Sequence, residues 1–294
     1  MKIIIKPDLD RDDVWIEAFG AALPELECVG WDAALDPASI DYAFVWNQGP
    51  GALQRFTNLK CIFSLGAGVD HLLRDPDLPA GVPIVRMVEP ELTRGMSEYV
   101  ALHVLRFHRE GPVLEEQQRT RNWNELLTPT APDRRVGFLG FGVLAKACAR
   151  VLGGFGFDLA CWSRNPKAMD GVESFHGRQG LAGFLARTQI LVCLLPLTPE
   201  TTGILDKVLF AGLPHGAWLI NAGRGGHQVE ADILAALDSG QLAGVALDVF
   251  QCEPLPADHP FWPHPKVTIS PHIASVTQPR SAAREIVANI RRVE

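Results

Sequence analysis

Two series of short apolar runs, each run separated from the next by a longer amphipathic stretch, dominate this chain of 294 residues. The first series is Ile3–Ile5, Tyr42–Trp46, Cys61–Leu65 and Ile84–Val85. The second is Val136–Leu139, Leu159–Trp162, Ile190–Leu195, Trp218–Asn221, Gly244–Leu247 and Val267–Ile269. Runs this short and this apolar fit strands buried on both faces. Stretches such as Gly95–Glu110, Leu144–Gly153 and Glu230–Ser239 have helical patterning. Strands alternating with helices give parallel sheets covered by helices, because a parallel crossover must return over a face of the sheet. The expected fold class is α/β, with two Rossmann-like, doubly wound parallel sheets. At roughly 150 residues per domain the length also fits two domains.

Composition narrows the function classes. Lys and Arg number 27 against 34 Asp and Glu, a net charge of -7. No basic stripe for wrapping nucleic acid is expected, although one local cation can still hold a small anionic ligand. Cys28, Cys61, Cys148, Cys161, Cys193 and Cys252 form no Cys-x-x-Cys pair and read as scattered reduced thiols, with no disulfide framework and no metal site. The apolar start Met1–Ile5 is too short for a signal-peptide core, and no run reaches the length of a membrane span. A cytoplasmic protein with no membrane partner is expected.

The sharpest local signal is Val136-Gly137-Phe138-Leu139-Gly140-Phe141-Gly142-Val143-Leu144-Ala145. It reads strand, tight turn, helix start. Gly140 and Gly142 fit the first two positions of the dinucleotide fingerprint and Ala145 the third, where a small residue lets helix pack on strand. Phosphates then face the free N–H groups of the helix start. An NAD site carries Asp or Glu about 20 residues on, at the end of the next strand. Here Ser163 and Arg164 stand in that place, and no carboxylate follows until Asp170. A guanidinium and a hydroxyl suit a 2′-phosphate, so NADP(H) is the preferred cofactor and NAD(H) the alternative.

Three further segments end strands of the second series: Asn221–Gly226, Leu247–Pro256 and Ser270–Ser275. Ligands of open α/β sheets sit outside the carboxyl ends of strands, so these segments aim polar side chains at one crevice. Arg224, Glu253 and His272 are the chemically apt set. His259 and His264, in a proline-rich loop, read as surface residues, and Arg134-Arg135 and Arg291-Arg292 as solvated cations.

With these motifs in order, together with Gly66-Ala67-Gly68-Val69-Asp70, Leu195-Pro196-Leu197-Thr198-Pro199-Glu200-Thr201 and Cys161-Trp162-Ser163-Arg164, the chain resembles the D-2-hydroxyacid dehydrogenase family. It is most similar to the family's branch of glyoxylate/hydroxypyruvate reductases. The resemblance implies NADPH-dependent reduction of small 2-keto acids, glyoxylate and hydroxypyruvate among them. Arg224 would bind the substrate carboxylate and polarise the carbonyl, and His272 would be the general acid. Glu253 would orient the His272 ring and favour its imidazolium form. It implies a carboxylate-binding turn of backbone N–H groups at Ala67, Gly68 and Val69, with Trp46 narrowing the site. Val143, Leu144, Leu195, Ala222, Gly223 and Ser275 would line the cofactor, and Asp248 would contact the nicotinamide carboxamide. Gly223 departs from the Ala that the family often has there.

The resemblance further implies a substrate domain of residues 1–98 and 275–294, into which a dinucleotide-binding domain of residues 99–274 is inserted, with a cleft between them. The polar arm Gln117–Thr130, with Trp123, resembles the family's dimerisation segment, so a homodimer is expected. The other readings to be separated from this one are a dehydrogenase of a bulkier D-2-hydroxy acid and a dinucleotide-sensing protein like the corepressors built on the same scaffold.

Overall fold

A computed structural model describes residues 1–7 and 12–294. The elements run β1 (Lys2–Lys6), α1 (Asp12–Ala22), β2 (Glu27–Gly30), β3 (Tyr42–Val45), β4 (Cys61–Ser64), α2 (Asp70–Leu73), β5 (Ile84–Val85), α3 (Pro90–His108) and α4 (Gly111–Thr120). They continue β6 (Arg135–Leu139), α5 (Val143–Gly153), β7 (Asp158–Ser163), β8 (Val172–His176), α6 (Gly177–Arg187), β9 (Ile190–Cys193), α7 (Lys207–Ala211), β10 (Ala217–Asn221), α8 (Glu230–Asp238), β11 (Leu242–Leu247), β12 (Val267–Ile269) and α9 (Pro279–Val293).

The chain divides into two compact units, Met1–Leu92 with Val276–Glu294, and Thr93–Ser275. The division falls in the first turn of α3 rather than near residue 98. That helix starts at Pro90, five residues before the sequence pattern, because the buried Glu89 carboxylate accepts the N–H groups of Glu91 and Leu92, each at 2.7 Å.

The first unit is a parallel sheet in the order β2-β1-β3-β4-β5. Successive side chains of a strand point to opposite faces. Ile3, Ile5, Tyr42, Phe44 and Phe63 therefore pack with Trp15 and Phe19 of α1 and with Ala283, Ile286, Val287 and Ile290 of α9. Ile4, Ala43, Val45 and Ile62 pack the other way, with Leu53, Phe56 and Leu72. The α9 spacing gives one apolar stripe, the pattern of a helix with a single buried face.

The second unit is a parallel sheet in the order β12-β11-β10-β9-β6-β7-β8. The chain runs outward from β6 to β8, then crosses back to β9 and on to β12. The strand order thus reverses between β6 and β9, and the carboxyl ends there are where open α/β sheets take ligands. Each sheet is doubly wound, as the alternating pattern predicts.

Two strands escape the sequence pattern. Edge strands β2 and β8 are half-exposed and lack an apolar run. The stretch Gly111–Thr120 is a helix, held by Arg119 Nη2 donating to Glu116 (2.6 Å) and Arg106 Nη2 to Glu115 (2.6 Å), and the arm is irregular only beyond it. Arg134 is not a solvated cation. It is buried and paired with Glu110 at 2.9 Å, whereas Arg135, Arg291 and Arg292 are exposed. Among the described residues, no helix is long and apolar enough to cross a membrane.

Candidate active site

At the end of β6 the chain turns through Gly140, whose φ of 93° is left-handed and whose N–H donates to the Trp162 carbonyl at 2.9 Å. A Cβ there would lie 2.9 Å from the backbone of Leu194 and Leu195, so glycine is required on both counts. Gly142 is different. It is extended, no side chain caps the helix there, and no atom lies within 4 Å of where its Cβ would be. Val143 and Leu144 open the first turn of α5, and Ala145 is packed into the core. The result is an uncapped start of an eleven-residue helix, reached across open space. Its first N–H groups have no intrahelical acceptor, and that cradle fits a dinucleotide pyrophosphate.

Ser163 and Arg164 follow at the end of β7. Ser163 is buried and its hydroxyl donates to the Asn165 carbonyl at 2.7 Å, which leaves the oxygen to accept rather than donate. Arg164 is exposed. Of the two, only the guanidinium is placed to give hydrogen bonds to a phosphate.

Arg224, Glu253 and His272 come together although they follow three different strands. His272 Nδ1 and Glu253 Oε2 lie 2.7 Å apart, while Glu253 Oε1 accepts the Phe250 N–H at 2.9 Å. Burial would raise the Glu253 carboxyl. The bond from His272, the Phe250 N–H and the positive charges of His272 and Arg224 outweigh it and hold the carboxyl below its ordinary value. Glu253 is thus an ionised partner for the ring, within the field of Arg224. Arg224 itself is half-buried, its Nη1 donating to the Gly223 carbonyl at 2.8 Å.

His272 sits in the left-handed region at φ 56°, unusual for a residue with a side chain. Its loop is pinned by Asp248. One Asp248 oxygen accepts the Ser270 hydroxyl (2.6 Å) and the Ile273 N–H (2.9 Å), the other the Ala274 N–H (2.9 Å). The Asp248 carbonyl accepts the His272 N–H at 2.8 Å. Burial raises the Asp248 carboxyl, and these donors with the His272 charge offset only part of that. Leu195 and Ala222 are buried at the ends of the neighbouring β9 and β10 segments, and the Ser275 hydroxyl lies 3.0 Å from where a Cβ on Gly95 would sit.

The first unit holds its own group. Trp46, after β3, packs tilted against His71 at 4.3 Å between ring centroids and covers Gly66, where a Cβ would come within 2.6 Å of the indole. Ala67, Gly68 and Val69 are half-buried in the turn after β4, and Ser64 Oγ donates to the Gly68 carbonyl at 3.1 Å.

The histidines His259 and His264 are half-buried rather than surface residues. They face Glu230 at 3.3 Å and Asp238 at 3.5 Å. Sequence reasoning also passes over His227 and Gln228, which lie buried in a tight turn just after Arg224. Their one sequence signal is two polar residues between the Arg224 segment and an apolar helix.

Among known proteins, the family profile described as the NAD binding domain of D-isomer specific 2-hydroxyacid dehydrogenases matches residues 101–274. A glyoxylate/hydroxypyruvate reductase A of Serratia proteamaculans is 44% identical over 299 residues, covering 100% of this chain and 95% of the relative. One of Yersinia enterocolitica is 45% identical with the same coverage. A D-isomer specific 2-hydroxyacid dehydrogenase of Xanthobacter autotrophicus, solved with NADPH and MES, superimposes with TM-score 0.96 at 43% identity, covering 99% of this chain and 94% of that one. An NADPH-dependent glyoxylate/hydroxypyruvate reductase of Sinorhizobium meliloti, solved with NADP and sulfate, gives TM-score 0.92 at 42% identity, with the same coverage.

Proposed function

The chain belongs to the D-isomer specific 2-hydroxyacid dehydrogenase family, and from that premise we propose that it reduces small 2-keto acids with NADPH, glyoxylate to glycolate and hydroxypyruvate to D-glycerate. The observation that carries this reading is the 2.7 Å His272–Glu253 pair next to Arg224, on the same sheet whose β6 turn opens onto α5. Relatives named for this activity and solved with NADPH or NADP support the substrates and the cofactor.

When bound, NADPH supplies the hydride to the keto carbon. Arg224 holds the substrate carboxylate and stabilises the charge that grows on the carbonyl oxygen. His272 passes a proton to that oxygen, so carbonyl plus hydride plus proton gives the alcohol. Glu253, ionised and 2.7 Å from Nδ1, keeps the ring oriented. The first turn of α5 takes the pyrophosphate, Arg164 the 2′-phosphate, and Leu195, Ala222, Gly223, Asp248 and Ser275 border the nicotinamide end. The unit Thr93–Ser275 is the dinucleotide-binding domain. The other unit is the substrate domain, in which the N–H groups of Ala67, Gly68 and Val69 offer a carboxylate-binding turn beside Trp46.

The reading extends to assembly and location. Trp123, 94% exposed, lines a groove of about 520 Å³ between α4 and the arm, and Leu127 on the same arm is 103% exposed, which supports a homodimer built on that arm. The buried free thiols Cys61, Cys148, Cys161 and Cys193 support a reducing compartment such as the cytoplasm.

The test is a panel of 2-keto acids assayed with NADPH and with NADH. Fastest turnover of glyoxylate or hydroxypyruvate, at higher kcat/KM with NADPH, is the expected outcome. A preference for branched or aromatic keto acids moves the chain to a different substrate, and binding without turnover makes it a dinucleotide sensor.

A further inference from the structure

We propose that His227 is a positioning residue for keto-acid binding, its Nδ1 holding the backbone of Arg224 and its ring filling the space that Gly223 leaves open. The inference rests on the proposed role of Arg224 in holding the substrate carboxylate.

His227 is 0% exposed and ends the short turn Gly225–His227 that follows Arg224. The Arg224 N–H donates to His227 Nδ1 at 3.1 Å. A backbone N–H only donates, so Nδ1 presents its lone pair and the ring proton sits on Nε2. The neutral imidazole thus fixes the peptide from which the guanidinium projects. The next peptide is held too, since Asn221 Nδ2 donates to the Arg224 carbonyl at 3.2 Å. A second contact explains the departure at residue 223. A Cβ on Gly223 would lie 3.1 Å from His227 Cε1 and Nδ1 and 3.3 Å from the Leu195 carbonyl, tighter than side chains ordinarily pack. Glycine at 223 and histidine at 227 are one packing solution.

The turn also reaches the loop that carries Glu253. Gln228 Nε2 donates to the Val249 carbonyl at 2.6 Å, and Gln251 Nε2 to the Gln228 carbonyl at 2.6 Å. Gly225 is pressed against Phe250, where any Cβ would overlap the carbonyl. His227 therefore sits where the Arg224 and Glu253 segments are tied together. The competing role, a Cys–His nucleophile, fails on chemistry. Cys193 Sγ lies 3.9 Å from His227 Nδ1, but burial pushes that thiol up to about 12, so no thiolate forms near neutral pH.

The test measures KM for glyoxylate and for NADPH in His227→Leu, His227→Asn, Gly223→Ala and the double variant Gly223→Ala/His227→Asn, beside Arg224→Lys. His227→Leu removes the Nδ1 that accepts the Arg224 N–H, and a rise of about tenfold or more in glyoxylate KM is expected, with NADPH KM changed less than about twofold. Asn offers Oδ1 near the place of Nδ1, so His227→Asn recovers most of the loss. Gly223→Ala raises glyoxylate KM by crowding the ring, and adding His227→Asn relieves it because the amide is smaller. If His227→Leu does not fold, His227→Gln replaces it: its amide reaches past the Nδ1 position and fails to rescue where Asn succeeds. Equal KM values for the Leu and Asn variants, or independent effects of the 223 and 227 changes, would overturn the inference. Arg224→Lys separates the premise: an unchanged glyoxylate KM there removes the role of Arg224 itself. A raised KM there with an unaffected His227→Leu removes only the role of His227.

Discussion

A Gly-x-Gly pattern follows a buried strand in both units, at Gly66-Ala67-Gly68 after β4 and at Gly140-Phe141-Gly142 after β6. The two turns are built differently. Gly140 is forced left-handed against the β9 segment, and Gly142 opens without obstruction onto an eleven-residue helix. Gly66 is roofed by the Trp46 indole, and the helix after Val69 has only four residues. A long helix with a clear N-terminus gathers several N–H groups for a doubly charged bridge, whereas a short turn offers a few N–H groups to a single carboxylate.

The comparison breaks most sharply at Gly140. Gly140→Ala places a Cβ 2.9 Å from backbone at a left-handed φ, and a loss of roughly 2–4 kcal/mol is expected, read as a large drop in melting temperature. Gly142→Ala, two residues on, should leave the melting temperature alone and raise NADPH KM by roughly ten- to a hundredfold, because its methyl group occupies the approach to the helix start. Equal melting losses for the two would contradict the difference drawn between them.

Arg164→Ala should weaken NADPH by about tenfold and leave NADH unchanged, the size of one charge-assisted contact. An equal loss for both cofactors would place Arg164 on the shared part of the dinucleotide. Gly66→Ala, in the other turn, displaces the indole. It should raise glyoxylate KM several-fold while NADPH KM stays within about twofold, a reversal of the Gly142→Ala pattern.

The smallest effect separates the cores. His71 is the one histidine of the first unit, but the second buries His103 and His108. Burial, reinforced by Arg106, lowers His103 from 6.5 to about 4. As pH falls below 6.5 the unfolded chain takes up a proton that the folded one refuses until about 4, so stability is lost across that window. The slope is at most about 1.4 kcal/mol per pH unit. His103→Leu should flatten the fall in melting temperature over the same range, and an unchanged slope would assign it elsewhere.

Legibility in the sequence tracks burial and locality. Fully buried strands such as Tyr42–Val45 and Ile190–Cys193 announce themselves as apolar runs, but the half-exposed edges β2 and β8 do not. Helix α4 has no buried residue and is held by ion pairs, so no core-facing stripe marks it in the sequence. Arg134 reads as solvated because its partner Glu110 lies 24 residues away. Arg224, Glu253 and His272 stand out as charged residues at strand ends, whereas His227 carries no charge signal and acquires meaning only when the Arg224 N–H is seen pointing at it. For Asp248 the sequence reading names a ligand contact, and the structure adds the three bonds that pin the His272 loop.

The most direct test of the central claim is steady-state reduction of glyoxylate by NADPH in the native protein and in His272→Gln. The account predicts measurable turnover in the first. In the second it predicts a kcat lower by roughly a hundred- to ten-thousandfold, with NADPH affinity retained because the turn at Gly140–Gly142 is untouched. A His272→Gln protein turning over within about threefold of the native rate would contradict it.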